Sequence, residues 1–200
     1  RARALELLRS VGLPTPERVF RAYPHELSGG MAQRAMIALA LACSPKLLIA
    51  DEPTTALDVT IQIQIVRLLE ELRERLGLTI VLITHNLSVV AEVCDRVAVM
   101  YAGEIVESGP ALEVFERPRH PYTVGLLGAR PRVTGADEWL ADIPGRVPDL
   151  LRPPSGCRFN PRCFLADGLC RAEHPALREL EPDHRSRCHH AERLRGEAAA

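Results

Sequence analysis

Leu47-Leu48-Ile49-Ala50-Asp51-Glu52-Pro53-Thr54-Thr55-Ala56-Leu57-Asp58 decides the reading of this 200-residue chain. Leu47 to Ala50 is a wholly apolar run of strand length, the pattern of a strand covered on both faces. It delivers two adjacent carboxylates, and an acidic pair straight after a buried strand is costly unless a metal or hydrogen bonds compensate it. Magnesium takes few protein ligands and binds mostly through phosphates, so Asp51 fits as an indirect ligand. Glu52 would point elsewhere and can polarise a water for attack on a γ-phosphate. A turn or helix cap, given Pro53-Thr54, is the plain structural alternative.

Working outward, Thr60 to Leu76 predicts a helix with Ile61, Ile65, Leu68, Leu69 and Leu72 on one side and Gly77 as its stop. Thr79 to Ile83 is a second β-branched strand, and Leu87 to Cys94 another short helix. Arg96 to Tyr101 and Glu104 to Glu107 read as strands joined through Ala102-Gly103. Upstream, residues 1 to 12 form a helix closed by Gly12, and Pro14 and Pro16 keep the next segment out of regular helix. Ser28 caps a helix whose apolar positions Met31, Ala35, Met36, Leu39 and Ala40 recur at helical spacing, and Ser44-Pro45 ends it.

Strand, helix, strand, helix at this rhythm is a parallel α/β sheet with crossover helices, and ligands of such sheets bind beyond the carboxyl ends of the strands. Asp51-Glu52 and His85 both occupy that end. His85 can hydrogen-bond a γ-phosphate and the attacking water, or be an ordinary polar residue at a strand end. Ser28-Gly29-Gly30 offers a hydroxyl, unobstructed amides and a helix N-terminus, which together suit phosphate but also make an ordinary cap.

The bulk numbers exclude some classes. With 46% hydrophobic and 26% charged residues the chain can bury a core, and a net charge of -1 gives no steering toward nucleic acid. No apolar run approaches the roughly 18 residues of a membrane span. The first residues, Arg1-Ala2-Arg3-Ala4-Leu5-Glu6-Leu7-Leu8, already carry helical periodicity without an initiator Met or secretory h-region. The expectation is a piece that begins inside a domain.

Leu27-Ser28-Gly29-Gly30-Met31-Ala32-Gln33-Arg34 resembles the signature motif of ABC transporter ATPases. Leu47 to Glu52 resembles their Walker B strand, Ala56-Leu57-Asp58 the D-loop, and Thr84-His85 the switch-histidine loop. The resemblance covers residues 1–108, as the second half of a P-loop nucleotide-binding domain. It implies ATP and Mg2+ as cofactors and a head-to-tail dimer with ATP sandwiched between subunits. Ser28, Gly29, Gly30 and Gln33 would then serve the partner's nucleotide, Asp51 the metal, Glu52 and His85 the chemistry, and Asp58 the dimer interface. One departure matters: no Gly-x-x-x-x-Gly-Lys-Ser/Thr loop and no glutamine loop occur in the 200 residues, so this stretch alone should not bind or hydrolyse ATP well.

Beyond Gly109 the chain holds most of its 16 prolines, and residues 109–200 are expected to form an irregular Cys-rich extension with short helices at Ala111 to Phe115 and around Tyr122 to Leu127. His120-Pro121-Tyr122-Thr123, Ile143-Pro144-Gly145 and Pro153-Pro154-x-Gly156-Cys157-x-Phe159-x-Pro161-Arg162-Cys163 resemble the C-terminal region of oligopeptide, dipeptide and nickel importer ATPases. Cys43 and Cys94 read as small core residues, whereas Cys157, Cys163, Cys170 and Cys188 give C-x5-C-x6-C-x17-C, a credible site for a soft metal. An iron–sulfur cluster, zinc and unliganded thiols are all open on the residues; the resemblance favours a 4Fe-4S cluster, with zinc as the alternative. His174, His184, His189 and His190 could replace a thiolate in the zinc case, and otherwise read as polar surface or outer groups.

The resemblance further implies a second ATPase subunit, identical or paralogous, two transmembrane permease subunits, an extracytoplasmic solute-binding protein, and a peripheral place on the cytoplasmic face of the bacterial inner membrane. Nucleic acid is not expected. The rival reading from another class is a non-catalytic structural or regulatory module that docks through the metal-bound cysteines.

Overall fold

The computed structural model describes residues 1–129 and 142–194, which divide into two compact units between Val89 and Val90. In the first unit, α1 (Ala2–Ser10) and the single turn α2 (Pro16–Val19) precede a 3-10 turn at Pro24–Glu26. Pro16 sits where its missing N–H costs nothing and starts that turn of helix, rather than preventing it. Ser28 caps α3 (Gly29–Ala40), its Oγ accepting from the Met31 N–H at 3.4 Å. Then follow β1 (Leu47–Asp51), α4 (Val59–Leu76) and β2 (Thr79–Ile83), with β1 and β2 parallel and Asp51 opposite Ile83.

The core of this unit joins Val11 and Leu13 to Ile37, Ala38 and Leu41 of α3, Leu48 of β1, and Ile65, Leu68, Leu69 and Leu72 of α4. The predicted apolar face of α4 is therefore its buried face, with Ile65 and Leu72 fully enclosed. Each such side chain contributes about 2 kcal/mol by leaving water. The two faces of β1 and β2 differ within these residues. Leu47, Ile49, Val81 and Ile83 are 49%, 62%, 45% and 47% exposed, because among the described residues the helices of this unit cover one face only.

The second unit begins within α5 (Leu87–Val93) and continues as β3 (Arg96–Tyr101) and β4 (Glu104–Pro110), an antiparallel hairpin turning at Ala102-Gly103. The short helices α6 (Ala111–Glu116) and α7 (Pro121–Gly128) stand where the sequence placed them. The rest is less irregular than expected. After α8 (Gly168–Ala172), β5 (Arg178–Glu181) and β6 (His184–Ser186) extend the hairpin into a four-stranded sheet in the order β3-β4-β6-β5. The fold so joins a parallel pair to an antiparallel sheet, and the C-terminal stretch supplies two strands to the latter.

Four of the buried polar residues of this second unit, Glu107, Arg119, His184 and Ser186, bond to one another. Glu107 Oε1 accepts from the Arg119 amide at 2.5 Å and sits 2.8 Å from His184 Nε2, and the Ser186 hydroxyl donates to the Arg119 carbonyl at 2.7 Å. His184 is thus a buried partner of Glu107 and not a surface group. Cys43 is likewise displaced from its expected core position: it follows the end of α3 and is exposed, while Cys94 is half-buried.

Candidate nucleotide and thiol sites

The parallel register of β1 and β2 builds the acidic site. The Glu52 amide donates to the Ile83 carbonyl at 2.9 Å, so the ladder runs one residue past Asp51 and brings His85, two residues beyond Ile83, beside Glu52. His85 Nδ1 lies 2.9 Å from Glu52 Oε1, and the Thr55 hydroxyl donates to Oε2 at 2.6 Å. Both carboxylate oxygens are therefore engaged. Glu52 itself holds φ 47, a left-handed conformation rare for a residue with a side chain and typical of strained functional turns. The Thr55 bond first, then His85, pulls the Glu52 carboxyl below its ordinary range, so it stays ionised.

Asp51 ends β1 exposed, ahead of the turn that Thr55 N–H closes on the Glu52 carbonyl at 3.1 Å. Asp58 caps α4, Oδ1 accepting from Ile61 N–H at 3.0 Å, and Gln62 ties that cap to the turn through the Thr54 and Leu57 carbonyls. Ser28, Gly29, Gly30 and Gln33 lie together at the start of α3, against the N-terminal end of α4. A Cβ on Gly30 would come 2.9 Å from Ile61 Cγ2, and one on Gly29 3.1 Å from Leu57 Cδ2. The glycines thus have a packing reason within the chain beside any role toward phosphate. Among the described residues no hydrogen bond or ion pair joins Ser28 to Asp51, Glu52 or His85. Thr55 is a site residue that the sequence did not single out, although it lies within the stretch from Leu47 to Asp58.

Cys157, Cys163, Cys170 and Cys188 come from separate segments of the second unit and feel one another's charge, although no three of their sulfurs lie within 4.8 Å of one another. The Cys157 amide donates to the Cys170 carbonyl at 2.9 Å, a crossing so close that any Cβ on Gly156 would collide with the Cys170 and Arg171 backbone. Amide N–H groups of Leu165 and His190 point to Cys163 Sγ at 3.4 Å and Cys188 Sγ at 3.3 Å, a setting that suits sulfur bearing negative charge. Burial, and then the neighbouring cysteines, push Cys163 up to about 11 and Cys188 up to about 12. Burial also raises Cys157 and Cys170. Without a cation these thiols are protonated at neutral pH, and four neighbouring sulfurs become thiolates together only where positive charge compensates them. Beside them, the Cys170 amide, donating to Asp167 Oδ1 at 3.0 Å, draws the Asp167 carboxyl down to about 2.

Comparison with known proteins finds matches to both parts of the chain. The ABC transporter family model matches residues 1–55, and the model described as oligopeptide/dipeptide transporter, C-terminal region, matches residues 106–170. The chain is 55% identical over 190 residues to the dipeptide transport ATP-binding protein DppD of Escherichia coli, covering 95% of this chain and 58% of that protein. It is 56% identical over 187 residues to the probable peptide ABC transporter ATP-binding protein y4tR of Sinorhizobium fredii, covering 93% and 56%. The chain thus spans a little more than half the length of these relatives. Among solved structures, the ADP conformation of MJ1267, an ATP-binding cassette of an ABC transporter, superposes with a TM-score of 0.54 at 27% identity, over 62% of this chain and 48% of that one. For cbiO1 of Clostridium perfringens, part of the ABC transporter complex cbiONQ, the TM-score is 0.51 at 38% identity, over 57% and 45%. Two family models in chain order, and relatives more than half identical along nearly all of its residues, place this chain in the family of peptide-type ABC transporter ATP-binding proteins.

Proposed function

We propose that this chain supplies one half of each of two ATP sites in a peptide importer, where hydrolysis drives uptake of peptides or related small solutes. The observation that carries the reading is the Glu52–His85 pair, 2.9 Å apart at the carboxyl ends of two adjacent parallel strands, with Thr55 holding the second carboxylate oxygen. Glu52 would receive the attacking water. Because its two hydrogen bonds lower its basicity, its main work is to orient and polarise that water, with the proton passing on late in a loose phosphoryl transfer. His85 would bind the γ-phosphate oxygen while fixing Glu52, and Asp51 would hold the waters of Mg2+ bound through the phosphates.

Ser28 caps α3 as an acceptor, and a hydroxyl that accepts keeps its proton to donate. With the amides of Gly29 and Gly30 and with Gln33 it would meet the γ-phosphate held by a second ATPase subunit, identical or paralogous. Asp58, exposed at the cap of α4, would face that subunit. Residues 1–108 are proposed as the nucleotide-binding part and 109–200 as the importer-specific part. That division follows the motifs, whereas the folded units part between Val89 and Val90. Two permease subunits would anchor the assembly to the cytoplasmic face of the membrane and a solute-binding protein would deliver cargo. No helix among the described residues is long and apolar enough to cross a membrane, so contact with it would pass through those subunits.

Cys157, Cys163, Cys170 and Cys188 would hold a 4Fe-4S cluster, supplying charge compensation to the four thiolates and a structural tie, or a means of sensing, among short elements. Zinc is the alternative occupant.

The direct test of the chemistry is Glu52→Gln in a chain of the relatives' full length. ATP binding should persist while steady-state turnover falls at least about 1000-fold, the scale set by losing both water orientation and its electrostatic support. Turnover at the unsubstituted rate would remove Glu52 from the reaction.

A further inference from the structure

The turn from Glu52 to Asp58 contains two residues whose backbone angles side chains ordinarily avoid. Glu52 at φ 47 and Ala56 at φ 62 are both left-handed, and neither is a glycine. Such residues persist only where their surroundings fix them. Thr55 does so at the Glu52 end: its N–H donates to the Glu52 carbonyl at 3.1 Å and its hydroxyl to Glu52 Oε2 at 2.6 Å. Around Ala56 the backbone supplies only the Leu57 N–H on the Thr54 carbonyl at 3.3 Å, a long bond.

Gln62 supplies the rest. It lies one turn into α4, where its own N–H donates to the Asp58 carbonyl at 2.9 Å. Its half-buried side chain reaches back past the start of the helix, and Nε2 donates to the Thr54 carbonyl at 3.2 Å and the Leu57 carbonyl at 3.1 Å. A carboxamide nitrogen carries two hydrogens, one for each carbonyl, and the two carbonyls flank Thr55 and Ala56. These bonds do nothing for the helix itself, whose first turn has spare N–H groups and no spare carbonyls. Asp58 already serves that end, accepting from the Ile61 N–H at 3.0 Å. Gln62 therefore clasps the turn to α4, and α4 is anchored in the core by Ile65, Leu68, Leu69 and Leu72.

We propose that Gln62 is a positioning residue for ATP hydrolysis: by holding the Thr54 and Leu57 carbonyls it places Thr55, and through Thr55 the Glu52 carboxylate that receives the attacking water. The inference rests on the role proposed for Glu52. Gln62 touches no reacting atom, so its loss lowers turnover and spares nucleotide binding. A shift of about 1 Å at a reacting group, caused from a distance, costs on the order of 100-fold in rate.

Gln62→Met, similar in length and a good helix former but without either hydrogen, tests the clasp in two ways. In the native chain, amide hydrogen exchange at Thr55 and Leu57 should quicken more than about 10-fold while Leu68, Leu69 and Leu72 exchange as before. In a chain of the relatives' full length, kcat should fall about 10–100-fold with ATP affinity within about 3-fold. Thr55→Val should lose a similar factor, and adding Gln62→Met to it should cost less than about 3-fold more, because the effect passes through Thr55. Where Gln62→Met quickens exchange along all of α4, Gln62→Glu takes its place in the same measurements: a carboxylate of the same shape suits the start of a helix and has no hydrogen to give. Unchanged exchange at Thr55 and Leu57, an unsubstituted kcat, a loss carried by ATP affinity, or full additivity with Thr55→Val would each overturn the proposal. Turnover lost in Glu52→Gln but kept in Gln62→Met defeats the clasp alone, whereas turnover kept in Glu52→Gln defeats the reading beneath it.

Discussion

Glu52 draws its character from two neighbours of different kinds. Thr55 grips one carboxylate oxygen from within the same turn, and His85 approaches the other from the end of the next strand. The Thr55 bond is the larger cause of the lowered carboxyl. Thr55→Val should therefore raise the Glu52 titration toward the ordinary carboxyl range, read by NMR of the side-chain carboxyl in the native chain. The sign follows from proton binding. A group lowered on folding binds fewer protons in the native state, so its stabilising contribution is present above the unfolded-state value and is lost as pH falls through the folded one. An unchanged titration in Thr55→Val would mean that His85 alone sets the carboxylate.

Packing decides the elements as much as propensity does. Gly30 opens α3 where α4 crosses it, and Ile61 is β-branched, so its Cγ2 has little room to retreat. Gly30→Ala should destabilise the first unit by about 1–3 kcal/mol through overpacking, measured by denaturant unfolding. A neutral result would free that glycine for a purely ligand-related role. In the second unit, His120 caps α7 through Nδ1, which accepts from the Tyr122 N–H at 3.1 Å, and burial pushes the ring down to about 3. The unfolded chain takes up this proton below about pH 6.5 while the folded chain does so only near 3. Stability should accordingly fall by up to about 1.4 kcal/mol per pH unit between those limits and be full above them. His120→Asn keeps the cap and should flatten that acid limb; an unaltered slope would place the titration elsewhere. Which elements were legible follows the same logic. α4 and β2 declare themselves by apolar periodicity and β-branched residues. Arg178–Glu181 and His184–Ser186 are too short and polar to announce strands, and take that form because β4 offers them an edge.

At the scale of the molecule, the four motif segments were readable because each carries its chemistry in adjacent residues. Glu107 on His184, and Asp167 beside His190, were not, since pairing between distant segments leaves no local pattern. The same limit separates what one chain shows from what two chains would do. Ser28 and Glu52 stand in one unit without a hydrogen bond between them, and in the proposed dimer they serve different nucleotides. The sharpest test mixes two inactive chains of the relatives' full length, one carrying Glu52→Gln and the other Ser28→Arg, and measures ATP turnover. In the mixed dimer both lesions fall in one sandwich and the other sandwich is intact, so about a quarter of the unsubstituted sites should return after random pairing. With the two variants shown to pair with each other, a mixture as inactive as either parent would contradict the division of each site between two subunits.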